Sequence, residues 1–194
     1  MMTKLDDDDK DDITFNVIDW ADRDDDEEDI DEDNESAYVI EAYGKMEDKR
    51  SVYLKINGFT PYFFVEIPKS WGDTNVKRFV NFIKNKTYGK FQNSLITYDI
   101  VKKHRLFGFT AGKRFKFVRL VFNTSEAMRK YRWVFTSKHK IPGLDNTFRE
   151  YKAYESAFPP LLRFMHIQNI NASGWLKLEK DKYTQLPKRG FNTD

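Results

Sequence analysis

From Ala37 onward, apolar and polar positions follow two alternating rhythms. Tyr38, Ile40 and Ala42, then Val52, Leu54 and Ile56, recur at every second residue, the period of a half-buried strand, and the polar stretch Gly44–Arg50 between them predicts a hairpin with a long loop. Gly58 and Pro61 introduce a third strand, Tyr62–Ile67, which Pro68 ends. The rhythm then changes. Val76, Phe79, Val80 and Ile83 fall at the i, i+3, i+4, i+7 spacing of one helix face, with Asp73 or Thr74 as cap and Tyr88-Gly89 as stop. Leu95–Val101 and Phe115–Phe122 read as two further strands, the second placing Val118, Leu120 and Phe122 on one side. A second helix is predicted over Ser125–Phe135 behind Thr124. A third is predicted over Phe158–Ile167, capped by Ser156, with Pro159 and Pro160 tolerated in its first turn. A last strand, Trp175–Leu178, precedes a polar tail. Strands and helices mix without strict βαβ repetition, so the expected class is α+β: a mixed or antiparallel sheet with about three packed helices.

Residues 1–36 break this pattern. The first 35 residues hold 18 acidic and 3 basic side chains, whereas the remaining 159 hold 13 acidic and 30 basic, so the formal charge of +2 hides a strongly acidic segment and a strongly basic one. Like charges at the density of Asp6–Asp9 and Asp24–Asp33 repel, and the expected state of 1–36 is a disordered acidic tail. Its apolar patch, Ile13–Trp20, reads either as a short docking motif or as an isolated sticky spot. The basic remainder is expected to attract polyanions, nucleic acid first among them.

The chemistry available is narrow. Cysteine is absent, which excludes disulfides, thiolate metal sites and cysteine nucleophiles. No stretch approaches the ~20 apolar residues of a membrane span and the acidic start is unlike a signal peptide, so a soluble, intracellular protein without membrane contact is expected. His104, His139 and His166 lack partners at metal-ligand spacing, and His166 reads as a packing residue. Gly108 to Arg114 approaches a phosphate-binding loop, but only three residues separate its glycines and Arg114 stands where the hydroxyl is needed. A hairpin turn is the better reading. This turn concentrates cations: Lys102, Lys103, His104 and Arg105 on one side, Lys113, Arg114, Lys116 and Arg119 on the other, with Phe107 and Phe109 between. Cations beside aromatic faces suit a single-stranded nucleic acid. Equally, the phenylalanines pack inward and the cations solvate an edge strand. Asp-x-Glu pairs occur only in the acidic segment, so no catalytic residue, cofactor site or metal site is expected.

Several blocks follow one another in order: the run GFTPYFF at Gly58–Phe64, the FGF of Phe107–Phe109 after Leu106, Phe117-Val-Arg-Leu120, Tyr154-Glu-Ser156, Leu162-Arg-Phe-Met165 and Gly174-Trp-Leu176. Together they resemble family B DNA polymerases of the eukaryotic delta type and their relatives in large nucleocytoplasmic DNA viruses. The resemblance covers Ala37 to about Tyr183. It implies an N-terminal, pre-exonuclease domain over 37–183, with a polar tail over 184–194. Such a domain is expected to contact template DNA and to pack on exonuclease and palm domains, in cis or as a separate chain. It would work at the host nucleus or a cytoplasmic viral replication site. The exonuclease motif Asp-Ile-Glu and the polymerase motif Tyr-Gly-Asp-Thr-Asp do not occur; Trp71-Gly-Asp-Thr-Asn75 imitates the second but lacks its second carboxylate. The chain by itself is therefore expected to be inactive, with magnesium serving only the complete nucleotidyltransferase. The alternatives are a stand-alone single-stranded nucleic-acid-binding accessory protein, and an interaction protein acting through its acidic tail.

Overall fold

A computed structural model of the chain describes residues 12–25, 36–105 and 110–185. Its strands are β1 (Ile13–Asp24), β2 (Tyr38–Lys45), β3 (Ser51–Ile56), β4 (Tyr62–Glu66), β5 (Leu95–Lys103), β6 (Phe115–Phe122), β7 (Ala153–Tyr154) and β8 (Gly174–Leu178). The helices are α1 (Asp73–Lys86), α2 (Ser125–Val134) and α3 (Pro160–Gln168). Two antiparallel four-stranded sheets, ordered β3-β2-β1-β8 and β5-β6-β4-β7, make this an α+β protein, as the alternating rhythms predict.

The chain divides into two compact units. The smaller comprises 1–20, 42–54 and 171–194. Within it, Phe15 and Val17 of β1 are buried, and β1 pairs with β8 from Ile13 opposite Leu178 to Val17 opposite Gly174. Gly44 of β2 is required there: a Cβ would stand 2.4 Å from the carbonyl oxygen of Asn16 and 2.5 Å from the Phe15 ring, closer than any side chain is accommodated. The loop of the first hairpin is shorter than predicted. It closes at 46–50, where the Arg50 carbonyl accepts from the amide of Met46 at 2.9 Å and Lys49 takes a positive φ.

The larger unit, 21–41 with 55–170, is built on the order β4-α1-β5-β6-α2-β7. With β4 and β6 central in the sheet, this is the split βαββαβ arrangement of ferredoxin-like folds. Alternation along the strands sends Phe63, Val65, Val118, Leu120 and Phe122 into one core with Val76, Phe79, Val80 and Ile83 of α1 and Ala127, Met128 and Tyr131 of α2. Thr124 caps α2 as predicted, accepting from the amide of Ala127 at 3.1 Å. Gly72, rather than Asp73 or Thr74, is the N-cap of α1, and Asp73 occupies the first turn, where its charge suits the helix dipole. Pro159 caps α3, so Ser156 does not. The helix begins at Pro160, whose missing amide hydrogen costs nothing at that position. It ends on Asn169 in the left-handed conformation. His166 is exposed on α3, not packed, because the buried side of this helix is carried by Arg163, Phe164 and Met165.

The expected disorder of residues 1–36 does not hold for Ile13–Asp24, which form β1. The acids that argued for disorder find separate donors when the chain folds. Asp22 accepts from the Tyr38 hydroxyl at 2.9 Å, and Asp25 pairs with Lys55 at 3.0 Å and with Arg23. Asp24 accepts from the amides of Ser125 and Glu126 at 2.7 and 2.9 Å and from the Ser125 hydroxyl at 2.9 Å. A carboxylate on the unpaired amides of a helix start is favoured by both hydrogen bonding and the helix dipole. The patch Ile13–Trp20 lies in the same strand, and its Phe15 and Val17 are core residues instead of an exposed docking motif.

Candidate nucleic-acid interface

The β5–β6 ladder positions most of the predicted cations. Lys102 pairs with Lys116, Lys103 with Phe115 and Asp99 with Arg119 in antiparallel register. His104 and Arg105 continue from β5. Lys113 and Arg114 lead into β6 from a turn in which the Lys113 amide donates to the Thr110 carbonyl at 2.9 Å, with Ala111 and Gly112 at positive φ. Phe107 and Phe109, with Leu106 and Gly108, lie outside the described residues.

Strand alternation divides these cations between two faces. Lys116 points to the helix-bearing face, where its ammonium donates to the Trp71 carbonyl. Lys103, Arg105 and Arg119 belong to the opposite face, with Tyr62, Phe64 and Glu66 of β4 and Phe117 of β6. There they are neutralised from within. The Arg105 guanidinium forks onto both carboxylate oxygens of Glu66, its Nε at 2.9 Å, and Tyr154 donates to the same carboxylate at 2.9 Å. Arg119 pairs with Asp99 at 2.6 Å. Lys103 stands 3.7 Å above the Phe64 ring and 3.1 Å from Glu155, which also holds Arg163. Arg163, almost fully buried, lies over Tyr62 at 4.3 Å and donates in addition to the Glu155 carbonyl at 3.0 Å. The aromatics of this sheet face are thereby covered: Phe64 and Phe117 are buried, and α3 supplies the arginine that takes the place a stacked base would fill.

Lys102, His104, Lys113 and Arg114 behave differently. All four are exposed, and their side chains form no ion pair or hydrogen bond among the described residues. The predicted ten-residue surface therefore separates into four outward groups at one end of the ladder, four cations engaged inside the fold and two phenylalanines outside the described residues. Glu66, Tyr154, Glu155 and Arg163 complete the engaged set, and charge spacing along the sequence does not mark them. Tyr154, Glu155 and Arg163 sit in the blocks that carry the family resemblance, and a single arginine among Leu162, Phe164 and Met165 was the available signal for a buried pair.

The two carboxylates set an acid limit to this face. The hydrogen bonds from Arg105 hold Glu66 below the usual glutamate value of 4.5 against the opposing effect of burial, and Tyr154 helps. For Glu155, burial pushes upward, yet hydrogen bonds from Arg163 and Lys103 outweigh it and the net direction is again down. A carboxyl that ionises more readily in the folded state contributes stability above its unfolded value, lost as pH falls through the folded value. Thermal stability is expected to be level above about pH 5 and to decline below 4.5. A Glu66→Gln, Glu155→Gln double variant, melted across pH 3 to 7, should show less of this decline.

Among the described residues, no group of three or more His, Asp or Glu side chains is placed to hold a metal ion, and no helix is long and apolar enough to cross a membrane.

No family model matches the chain. Individual relatives do. A DNA polymerase of Acanthamoeba polyphaga mimivirus is 37% identical over 183 residues, taking in 89% of this chain and 10% of the relative. The DNA polymerase delta catalytic subunit of Dictyostelium discoideum is 28% identical over 156 residues, 75% of this chain and 14% of the relative. Among solved structures, the family B DNA polymerase of the hyperthermophilic archaeon Pyrobaculum calidifontis gives a TM-score of 0.49 at 16% identity, covering 79% of this chain and 16% of that one. The chain spans only 10% to 16% of the length of the viral relatives it matches. Over most of its own length the chain is a homologue of a short stretch of viral DNA polymerases and of DNA polymerase delta catalytic subunits.

Proposed function

We propose that this chain is an amino-terminal piece of a family B DNA-directed DNA polymerase acting in DNA replication, and that its work is to position template DNA and to pack on the exonuclease and palm domains. Homology over most of the chain supports the polymerase assignment. The observation that carries the positioning role is the group of exposed, unengaged side chains Lys102, His104, Lys113 and Arg114 at the end of a paired β5–β6 ladder. Exposed cations grouped at one end of a ladder attract phosphates without specifying sequence, which is what a domain handling arbitrary template needs. In this reading the chain makes and breaks no bond, and magnesium is held by the polymerase's other domains.

The test is a salt titration of single-stranded DNA binding. Replacing Lys102, Lys113 and Arg114 by alanine should weaken binding to any sequence and flatten the dependence of log affinity on log salt by about 2, at roughly 0.7 per lost phosphate contact. Melting temperature should stay unchanged. Lys103→Ala and Arg105→Ala should instead lower stability, since each leaves a partly buried glutamate with one donor fewer. If the triple variant keeps both affinity and slope, the turn is not the DNA contact and docking onto the polymerase domains becomes the better assignment for it.

A further inference from the structure

On the helix-bearing side of the larger unit, the end of α1 and the last turns of α2 enclose an open groove of about 340 Å³, lined by Lys86, Tyr88, Phe91, Lys130, Trp133 and His139 among others. That volume lies at the low end of the range of about 300–1,000 Å³ typical of small-ligand sites. Two of its aromatic side chains pack on no core: Tyr88 is 80% and Trp133 64% exposed. Other rings, Phe148 and Trp175 among them, are exposed as well, but Tyr88 and Trp133 line one groove together, and large aromatics left in water side by side mark a contact site more than a packing need. The walls are fixed. Thr87 ends α1 by donating to the Ile83 carbonyl at 3.2 Å, and the His139 ring is hydrogen-bonded to the Val134 carbonyl and set edge-on to Phe82.

Charge selects the occupant. Among the described residues no acid lines the groove, while Lys86 and Lys130 do, and Lys90 and Lys130 both stand over the Phe91 ring, at 5.0 and 5.9 Å. Glu126 is paired with Lys90 at 3.4 Å, both side chains exposed, where such a pair is weak and readily exchanged. Exposed rings flanked by cations suit a polyanion that offers flat faces, and a single strand with unpaired bases does so where a duplex does not. An acidic peptide would satisfy the lysines but supplies no regular series of flat faces for two exposed rings.

We propose that this groove binds single-stranded DNA, unpaired bases stacking on Tyr88 and Trp133 while Lys86 and Lys130 contact the phosphates. The inference rests on the reading that the chain handles template DNA, and adds a second contact distinct from the β5–β6 turn. It is tested with the full chain, a labelled oligothymidylate and an abasic phosphodiester strand of equal length. Tyr88→Ala and Trp133→Ala should each weaken oligothymidylate binding roughly 5- to 150-fold, the range expected for one stacked base. Both should leave the melting temperature and the binding of the abasic strand unchanged. Lys86→Ala with Lys130→Ala should flatten the salt slope for both strands by about 1.4. Oligothymidylate should quench part of the tryptophan fluorescence of the wild-type chain, and Trp133→Ala should remove that part. If both aromatic variants bind oligothymidylate as tightly as wild type while the Lys102, Lys113, Arg114 variant is weakened, the groove proposal is overturned and the template reading survives. If the wild-type chain binds neither strand at low salt, both fall together.

Discussion

Arg163→Ala is expected to destabilise the fold by about 3–5 kcal/mol, the cost of leaving one member of a buried ion pair without the other. The side chain is 5% exposed, its guanidinium donates to both the carboxylate and the carbonyl of Glu155, and it covers the Tyr62 ring. Removing it strands Glu155 and uncovers the aromatic face of β4 together. Lys103 still pairs with Glu155 from 3.1 Å, which places the expected loss toward the lower figure. For a domain of this size the melting temperature should fall by roughly 6–20 °C. Two further measurements separate the charge effect from lost packing. Arg163→Met combined with Glu155→Gln should recover much of the loss, because no buried charge is then left over. In Arg163→Ala alone, the decline of stability in acid should begin at a higher pH than in wild type, since Glu155 loses a hydrogen bond that favours its ionised form. An Arg163→Ala variant that melts with wild type would show that the pair contributes nothing and that α3 is held by Phe164 and Met165 alone.

That arginine also shows what a sequence reveals and what it conceals. Helices α1 and α2 are legible because their burial repeats at helical spacing within ten or so residues, and Thr124 announces the start of α2 by a local hydrogen bond. The β5–β6 hairpin and its cations are legible for the same reason. The ion pairs that divide those cations are not local: Arg105 meets Glu66 across 39 positions and Lys103 meets Glu155 across 52. No count of charges along the chain distinguishes Lys113, open to solvent, from Arg105, already satisfied. Strand β7 holds two residues and offers no period to read. The start of α3 was misplaced because Ser156 is a good cap by composition, while the fixed φ of two successive prolines moves the helix start past it. Strand β1 was concealed by its own charge. The density argument treats every aspartate as equivalent, yet Asp22, Asp24 and Asp25 are met by a tyrosine, a helix start and a lysine drawn from three distant parts of the chain.

Those contacts make removal of Met1–Glu35 the more damaging change, and the two views of the acidic segment predict opposite outcomes. A disordered tail can be deleted without effect on melting. In the structure, β1 lies between β2 and β8, so its loss leaves β8 with no neighbouring strand to pair with. The loss also takes away Phe15 and Val17, buried side chains worth about 1.5–3 kcal/mol each. In the larger unit it removes the Asp24 carboxylate from the start of α2, a capping contribution of about 1–2 kcal/mol, and it strips Lys55 and Tyr38 of their carboxylate partners. These losses together approach the whole stability of a typical domain, about 5–15 kcal/mol. A chain beginning at Ser36 is therefore expected to lose cooperative thermal unfolding, as followed by circular dichroism, and to be cut by protease at concentrations the full chain resists. Asp24→Ala alone isolates the helix contact and should lower the melting temperature by roughly 2–8 °C. Asp24→Asn should cost less, because its one side-chain oxygen still accepts from one of the two amides, Ser125 or Glu126, that separate carboxylate oxygens of Asp24 serve, while the other bond and the charge facing the helix dipole are lost. Unchanged melting in the shortened chain would mean that β1 is not part of the folded protein in solution. The acidic segment would then act only through its charge, as a competitor for the cations on which DNA binding depends.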